Sequence, residues 1–284
     1  MVGEIQNIGE QNVQIDSVNA TYYDSEGSVI EGPKMYALWI ETLIPDQKAP
    51  FATVLLDENA SKRIVNYELS VIYRTTREEP YQNLLILSQH LYNDSDPVRR
   101  WYQSGVVGEV QNTGTENIEE VRIFATLYDK AGSMIGFIAT LVEFSVIVPG
   151  QKSPFEVPFV DPSLGHFPLD VIERMNSYQL GAYCTLSDKI PYRDFQILGH
   201  SYEEDWELST WKYVVKGDVK NVGDQNASVV VVIATFYDDS GRLVDICLDY
   251  IGDLDAGDAR ALWVGSLRIS LLLLICARGP LKGF

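Results

Sequence analysis

The chain has 284 residues with 40 acidic against 22 basic side chains, a net charge of −18, and no basic stripe. That field excludes electrostatic attachment to nucleic acid or to an anionic lipid surface. The charge is spread along the chain, −7 over residues 1–79, −6 over 80–190 and −5 over 191–284, so it belongs to the whole surface and serves solubility or a salty medium.

The first segment, Gly3-Glu-Ile-Gln-Asn7, returns as Gly108-Glu-Val-Gln-Asn112 and as Gly217-Asp-Val-Lys-Asn221. Spacings of 105 and 109 residues between the asparagines are far longer than a solenoid unit and match a self-contained domain. Each Asn opens an Asn-x-Gly triplet, ending at Gly9, Gly114 and Gly223. This pattern predicts a hairpin, with the glycine supplying a left-handed turn residue. The next strand ends in Ala20-Thr-Tyr-Tyr-Asp24, Ala125-Thr-Leu-Tyr-Asp129 and Ala234-Thr-Phe-Tyr-Asp238. In the second copy Val121, Ile123, Ala125 and Leu127 share one face; in the third, Val229–Ile233 reads as a strand covered on both sides. Glycines three residues after each Asp, at Gly27, Gly132 and Gly241, predict type I turns in which Asp caps its own backbone.

Pro45-Asp-Gln-Lys48 and Pro149-Gly-Gln-Lys152 mark another matched turn, with Asp255-Ala-Gly-Asp258 as the third counterpart. In the second copy Leu169, Ile172 and Met175 have one-face helical spacing and predict a short helix. The copies then realign, Tyr67-Glu-Leu-Ser with Tyr178-Gln-Leu-Gly and Pro80-Tyr81 with Pro191-Tyr192. These prolines set the expected domains at 1–79, 80–190 and 191–284, with Thr75–Glu79 and Ser187–Ile190 as short linkers. The second and third copies carry a segment before their Gly-Glu/Asp-Val motif, Tyr81–Val107 and Tyr192–Lys216, that the first lacks. The first domain is therefore expected to miss an N-terminal strand. The third copy follows the pattern to Leu262 and then runs into Arg268-Ile-Ser-Leu-Leu-Leu-Leu-Ile-Cys276 and a basic tail. That run is shorter than the ~20 residues of a membrane span and unlike the closing Tyr-x-Leu strand. A shifted or truncated frame, leaving an open sheet edge and the weakest of the three domains, is the expectation; a buried last strand and a membrane-tethering stub are the alternatives.

Six or seven short strands per ~100 residues predict an all-β fold, three tandem immunoglobulin-like antiparallel β-sandwiches with the first and third incomplete. The Gly-Glu/Asp-Val-x-Asn-x-Gly, Ala-Thr-x-Tyr-Asp-x-x-Gly and Pro-Gly-Gln-Lys-Ser-Pro-Phe segments resemble the FxLYD domain family. The resemblance covers nearly the whole chain, with Ala20, Ala125 and Ala234 where the family has its Phe, and its Leu kept at Leu127. It implies non-enzymatic Ig-like modules of prokaryotic, often archaeal, exported or surface-linked proteins.

Candidate chemistry is sparse. The recurrent acids Asp24, Asp129 and Asp238 sit beside the glycine their turn needs, and no base or nucleophile recurs with them. His90, His166 and His200 do not recur at matched positions and have no Cys or His partner nearby. Asp238-Asp239 and Asp249, Asp253, Asp255 and Asp258 supply oxygens for calcium, but no Asp-x-Asp-x-Asp-Gly loop holds them. The three cysteines, Cys184, Cys247 and Cys276, are odd in number and not spaced for a metal; the first two align with bulky strand positions and are expected as buried thiols. Tyr92, Trp101, Tyr102, Tyr202, Trp206, Trp211 and Tyr213 follow the two boundaries; strand packing accounts for them, a sugar-stacking platform being the alternative. Asn19, Asn59, Asn93 and Asn226 lie in glycosylation triplets. The expectation is thus no catalytic, cofactor or metal residue, and a non-catalytic extracellular or cell-surface repeat protein acting as spacer or scaffold for a protein or polysaccharide partner. The alternative is a set of accessory domains of a larger exported enzyme or transport component.

Overall fold

A computed structural model describes residues 1–32, 34–96, 101–159, 169–204, 213–266 and 272–278. The first copy gives β1 (Val2–Gln6), β2 (Val13–Tyr23), β3 (Lys34–Leu38), β4 (Thr42–Leu43), β5 (Lys48–Leu55), the one-turn α1 (Glu58–Ser61) and β6 (Asn66–Thr75). The second gives β7 (Leu84–Asp96), β8 (Trp101–Asn112), β9 (Ile118–Tyr128), β10 (Met134–Leu141), β11 (Val146–Ile147), β12 (Lys152–Pro158), α2 (Leu169–Arg174) and β13 (Ser177–Leu186). The third gives β14 (Phe195–Glu204), β15 (Tyr213–Asn221), β16 (Ala227–Tyr237), β17 (Leu243–Leu254), β18 (Ala259–Ser266) and β19 (Leu272–Arg278). The fold is all-β, and α2 falls where the spacing of Leu169, Ile172 and Met175 places it.

Each copy contributes two sheets. In the first, β1-β5-β3 lies in one and β4-β2-β6 in the other; in the second, β12-β8-β7 and β10-β9-β11 with β13 also on β9; in the third, β14-β15-β18 and β17-β16-β19. The faces between sheets are apolar. In the third copy Val215 and Val219 of β15, Val230, Val232, Ala234 and Phe236 of β16, and Leu262 and Val264 of β18 form one buried cluster. The first copy repeats this sandwich-like packing with Val13, Ile15 and Val18 of β2, Leu43 of β4, and Ala49 and Phe51 of β5. The chain divides into two compact units, Met1–Gln82 with Phe124–Ala139 and Phe167–Tyr183, and Asn83–Ile123 with Thr140–His166 and Cys184–Phe284.

The structure corrects two expectations and shows one difference between the copies. The Asn-x-Gly triplets do not close hairpins: the strands on either side, β1 and β2, β8 and β9, β15 and β16, lie in different sheets, and Gly9, Gly114 and Gly223 are not among the positive-φ residues. The Asn side chain dictates an arch instead, as described below. The copies also differ at the strand after the Asp turn. In the first copy β3 pairs with β5, whereas β10 and β17 pair with β9 and β16 in the opposite sheet.

The second correction concerns the leucine run. β19 lies antiparallel on β16, with Leu272 opposite Tyr237 and Ile275 opposite Ala234, the place β6 takes on β2, where Asn66 lies opposite Tyr23 and Leu69 opposite Ala20. No open edge is left there, so the reason for expecting the third copy to be the weakest is gone. Pairing needs only backbone donors and acceptors, and β16, buried on both faces from Val230 to Tyr237, takes an apolar strand without a Tyr-x-Leu pattern. The tail after Arg278 lies outside the described residues.

The two families of tight turns form as their sequences require. Gly27, Gly132 and Gly241 take φ of 78°, 77° and 75°, as do Gly150 and Gly257 in the second turn family, at 77° and 86°. In that second family the first copy has Asp46, at φ 65°, where an L side chain is strained. Asp46→Gly is expected to raise the stability of the first copy by about 0.5 kcal/mol, relief of strain outweighing the added freedom of the unfolded chain. A urea midpoint that falls would show that the aspartate does more than occupy the turn.

Candidate functional site

The recurrent polar residues are best understood from their hydrogen bonds. Asp24, Asp129 and Asp238 each accept two backbone N–H groups through Oδ1, from Glu26 and Ser28, Ala131 and Ser133, and Ser240 and Arg242, at 2.9–3.0 Å. The Ser240 hydroxyl, followed by the backbone N–H of Arg242, holds the Asp238 carboxyl well below the usual carboxylate range. These are satisfied turn caps.

The asparagine of each copy does more than the sequence suggested. Asn112 is fully buried. Its Nδ2 donates to the carbonyls of Glu116 at 2.7 Å and Ile147 at 3.0 Å, and its Oδ1 accepts from the Gly114 N–H at 3.1 Å. Ile147 belongs to β11 in the opposite sheet, so one side chain ties the two sheets and closes the arch. Asn7 repeats the pattern on Gln11, Leu43 and Gly9, and Asn221 on Gln225, Leu254 and Gly223. The backbone joins in: Asn7, Asn112 and Asn221 each accept from the positive-φ residue of the second turn family, Asp46, Gly150 and Gly257, at 2.8–2.9 Å. Sequence reasoning took these asparagines as turn formers because the sheet-bridging carbonyl, of Leu43, Ile147 or Leu254, is remote in sequence.

A third recurrence joins consecutive copies. Within the first compact unit the Tyr128 hydroxyl of β9 donates to Glu4 of β1 at 2.9 Å. Within the second, the Tyr237 hydroxyl of β16 donates to Glu109 of β8 at 3.0 Å. Both tyrosines are the fourth residue of the pentapeptide, and both glutamates follow the Gly of the first motif. The contact has apolar company. Phe124 belongs to the buried cluster of the first copy, with Ala139 and Tyr183 packed on it, and Ile233, at the matching position, is 0% exposed, with β17 packing against β7, β8 and β12. The first copy has exposed Asn19 at that place.

Burial first, and then the bond to the Glu4 carboxylate, pushes the Tyr128 phenol up from 10.0 to about 12. A folded value above the unfolded one means a contribution fully present below about pH 10 and lost as pH rises towards 12. Between those limits the parent is therefore expected to lose stability more steeply than Tyr128→Phe; parallel pH profiles of the two proteins would contradict the contact.

The remaining candidates do not assemble. Among the described residues no group of three or more His, Cys, Asp or Glu is placed to hold a metal ion. Of the acids considered for calcium, Asp249 accepts the Trp263 N–H at 3.0 Å and Asp253 sits at positive φ. His90 is half-buried in β7, His200 is exposed in β14 and His166 lies outside the described residues. Cys184 is buried, and burial pushes its thiol up to about 12, which leaves it inert. Cys247 is half-exposed rather than buried, its side chain reaching 3.9 Å from Asp245; Cys276 lies in β19, whose side chains are outside the description. Of the aromatic tract, Tyr92 is buried and donates to Glu156, and Tyr202 is exposed; the side chains of Trp101, Tyr102, Trp206, Trp211 and Tyr213 lie outside the described residues. Asn19, Asn59, Asn93 and Asn226 are all exposed. Among the described residues no helix is long and apolar enough to cross a membrane.

One concave feature stands out in the first copy. A groove of about 470 Å³ opens between β1 and β6, lined by Ile5, Val13, Ile15, Leu43, Val71 and Tyr73 and rimmed by the arch from Asn7 to Gln11. Val71 and Tyr73 lie opposite core residues Val18 and Ile15, yet they are 38% and 61% exposed. Its walls are mostly apolar, with the side chains of Glu10, Gln11 and Thr75 among the lining.

No family model matches the chain, and no curated protein matches it.

Proposed function

We propose that the chain is a non-catalytic secreted or cell-surface repeat protein, in which three tandem immunoglobulin-like modules of the FxLYD kind serve as spacer and binding scaffold for a protein or polysaccharide partner. One observation carries this reading. The recurrent polar side chains, Asn7, Asn112 and Asn221, Asp24, Asp129 and Asp238, and the Tyr128–Glu4 and Tyr237–Glu109 pairs, all spend their hydrogen bonds on closing arches, capping turns and joining copies. Residues repeated for catalysis would instead converge on a cleft with an acid, a base or a nucleophile in reach. Exposure of all four glycosylation asparagines and acidity spread over the chain agree with life outside the cytoplasm.

Protease treatment of intact cells of the source organism, with the chain followed by an antibody to the folded protein, tests the location. Loss of the antigen from intact cells is expected; an antigen that survives until the cells are lysed contradicts it.

A further inference from the structure

Polar connections between tandem modules are ordinarily where the backbone is loose and proteases cut. The linkers of this chain fold back onto the copy they leave. In the second, the Ser187 N–H donates to the Asn117 carbonyl at 2.8 Å, and the Ser187 hydroxyl accepts the N–H of Lys189 at 3.2 Å. The Lys189 carbonyl then accepts from Nδ2 of Asn117 at 3.0 Å, while its ammonium donates to Glu119 at 2.6 Å. Lys189 is held by its N–H, its carbonyl and its side chain.

The first linker repeats the arrangement with other residues. Thr76 donates its N–H to the Asn12 carbonyl at 2.9 Å, its hydroxyl accepts the N–H of Glu78 at 3.1 Å, and the Glu78 carbonyl accepts from Nδ2 of Asn12 at 2.9 Å. Asn12 and Asn117 hold matched places after the clamp asparagines Asn7 and Asn112. An exchange of Thr for Ser that keeps every bond identifies the hydroxyl as the working group.

The second linker is also tied where it enters the third copy. Tyr192 is buried, its ring meets Phe195 edge-on at 5.3 Å, and its hydroxyl donates to Oδ1 of the clamp residue Asn221 at 2.8 Å. A Cβ on Gly223 would lie 2.0 Å from that hydroxyl, so the glycine of the third Asn-x-Gly triplet makes room for Tyr192. Arg193, the next residue, reaches back to the Gln151 side chain of the second copy. Between Lys189 and Tyr192 lie only Ile190 and Pro191, and a proline ring fixes its own φ and restricts the residue before it. Little freedom is left. Ile190 is 67% exposed, so the restraint comes from the tied ends and not from packing.

We infer that Ser187–Tyr192 is a strap: Asn117 and Asn221, in the arches of consecutive copies, grip its two ends, and the grip closes the joint to proteases. Cutting needs several residues drawn out of the fold together, so both ends have to let go before the exposed middle can enter a protease. The inference deepens the reading of the repeats as a spacer and rests on it, but not on its location.

The test is trypsin, which cuts after Lys, added to the native 284-residue chain, with cleavage of the Lys189–Ile190 bond followed by mass spectrometry. That bond is expected to be cut about a hundredfold or more slowly than the same bond in a synthetic peptide of residues 186–194, because cutting waits for the strap to open. Asn117→Ala is expected to speed the cut about fivefold, and Tyr192→Phe, on the far side of Pro191, by a similar factor, with the parent melting transition kept. If Asn117→Ala melts lower, Ser187→Ala replaces it, since that change removes only the acceptor of the Lys189 N–H, and the same acceleration is expected. A parent chain cut as fast as the peptide, or a rate that Tyr192→Phe leaves unchanged, overturns the strap and leaves the scaffold reading in place. A chain found to be intracellular, with the joint resistant as described, would sink the proposed location and leave the strap standing.

Discussion

Asn112→Ala is expected to lower the unfolding free energy of the second copy by about 2–4 kcal/mol. The side chain is fully buried and supplies two donated bonds and one accepted bond, so its loss strands the carbonyls of Glu116 and Ile147 and the N–H of Gly114. Each unsatisfied buried group costs roughly 1–3 kcal/mol, partly offset where water reaches the arch. Asn112→Asp is the sharper probe. It preserves volume but turns an oxygen towards two carbonyl oxygens, or towards one if protonated, and it should cost at least as much as alanine at neutral pH. Denaturant unfolding with fluorescence and circular dichroism checks both; a loss below about 1 kcal/mol for either would mean the clamp is incidental to sheet pairing.

Gly108→Ala should be comparably damaging while Gly3→Ala is much milder, and the difference between them is the informative quantity. At Gly108 the new methyl would meet the Ser88 carbonyl at 2.2 Å and the Phe155 ring at 2.5 Å. Backbone on one side and a fully buried ring on the other leave nowhere to move. Overpacking of this kind costs about 3 kcal/mol or more, or expels β7 from the sheet. At Gly3 the contact is with Phe51 ring atoms at 2.8 Å, with no backbone atom among the three nearest, so the ring alone has to shift, at about 1 kcal/mol. Equal losses at the two sites would show that the ring, rather than the added strand, imposes the glycine.

Local features were legible in the sequence because their cause is local. A glycine three residues after an Asp announces its left-handed turn, and Gly27, Gly132 and Gly241 take it. The short helix over Leu169–Arg174 follows from spacing alone. The asparagine clamp was hidden because Asn followed by x-Gly is a turn signal whatever the side chain does; its second carbonyl, in Leu43, Ile147 or Leu254, comes from a strand of the opposite sheet. The tyrosine–glutamate contacts pair two motifs that were both visible as repeats, yet they join residues 124 and 128 positions apart. Alignment of the copies set a segment before the second and third motifs; that its strands, β7 and β14, pair with β8 and β15 needed the sheet order. The leucine run misled because closing-strand identity was judged by side chains, whereas β19 is placed by backbone pairing to β16.

Residue-resolved amide exchange of the three matched strands, Val2–Gln6 of β1, Gly105–Asn112 of β8 and Tyr213–Asn221 of β15, tests most directly the claim that the chain is built from matched two-sheet copies in which β8 and β15 are inner strands while β1, among the described residues, pairs with β5 alone. The inner strands β8 and β15 bond on both sides, and their amides should open only with the sheets that hold them. Fast exchange of the amides of β1 that do not bond to β5, with slow exchange throughout β8 and β15, is the predicted result. Protection of β1 equal to that of β8 and β15 in the chain alone would contradict it.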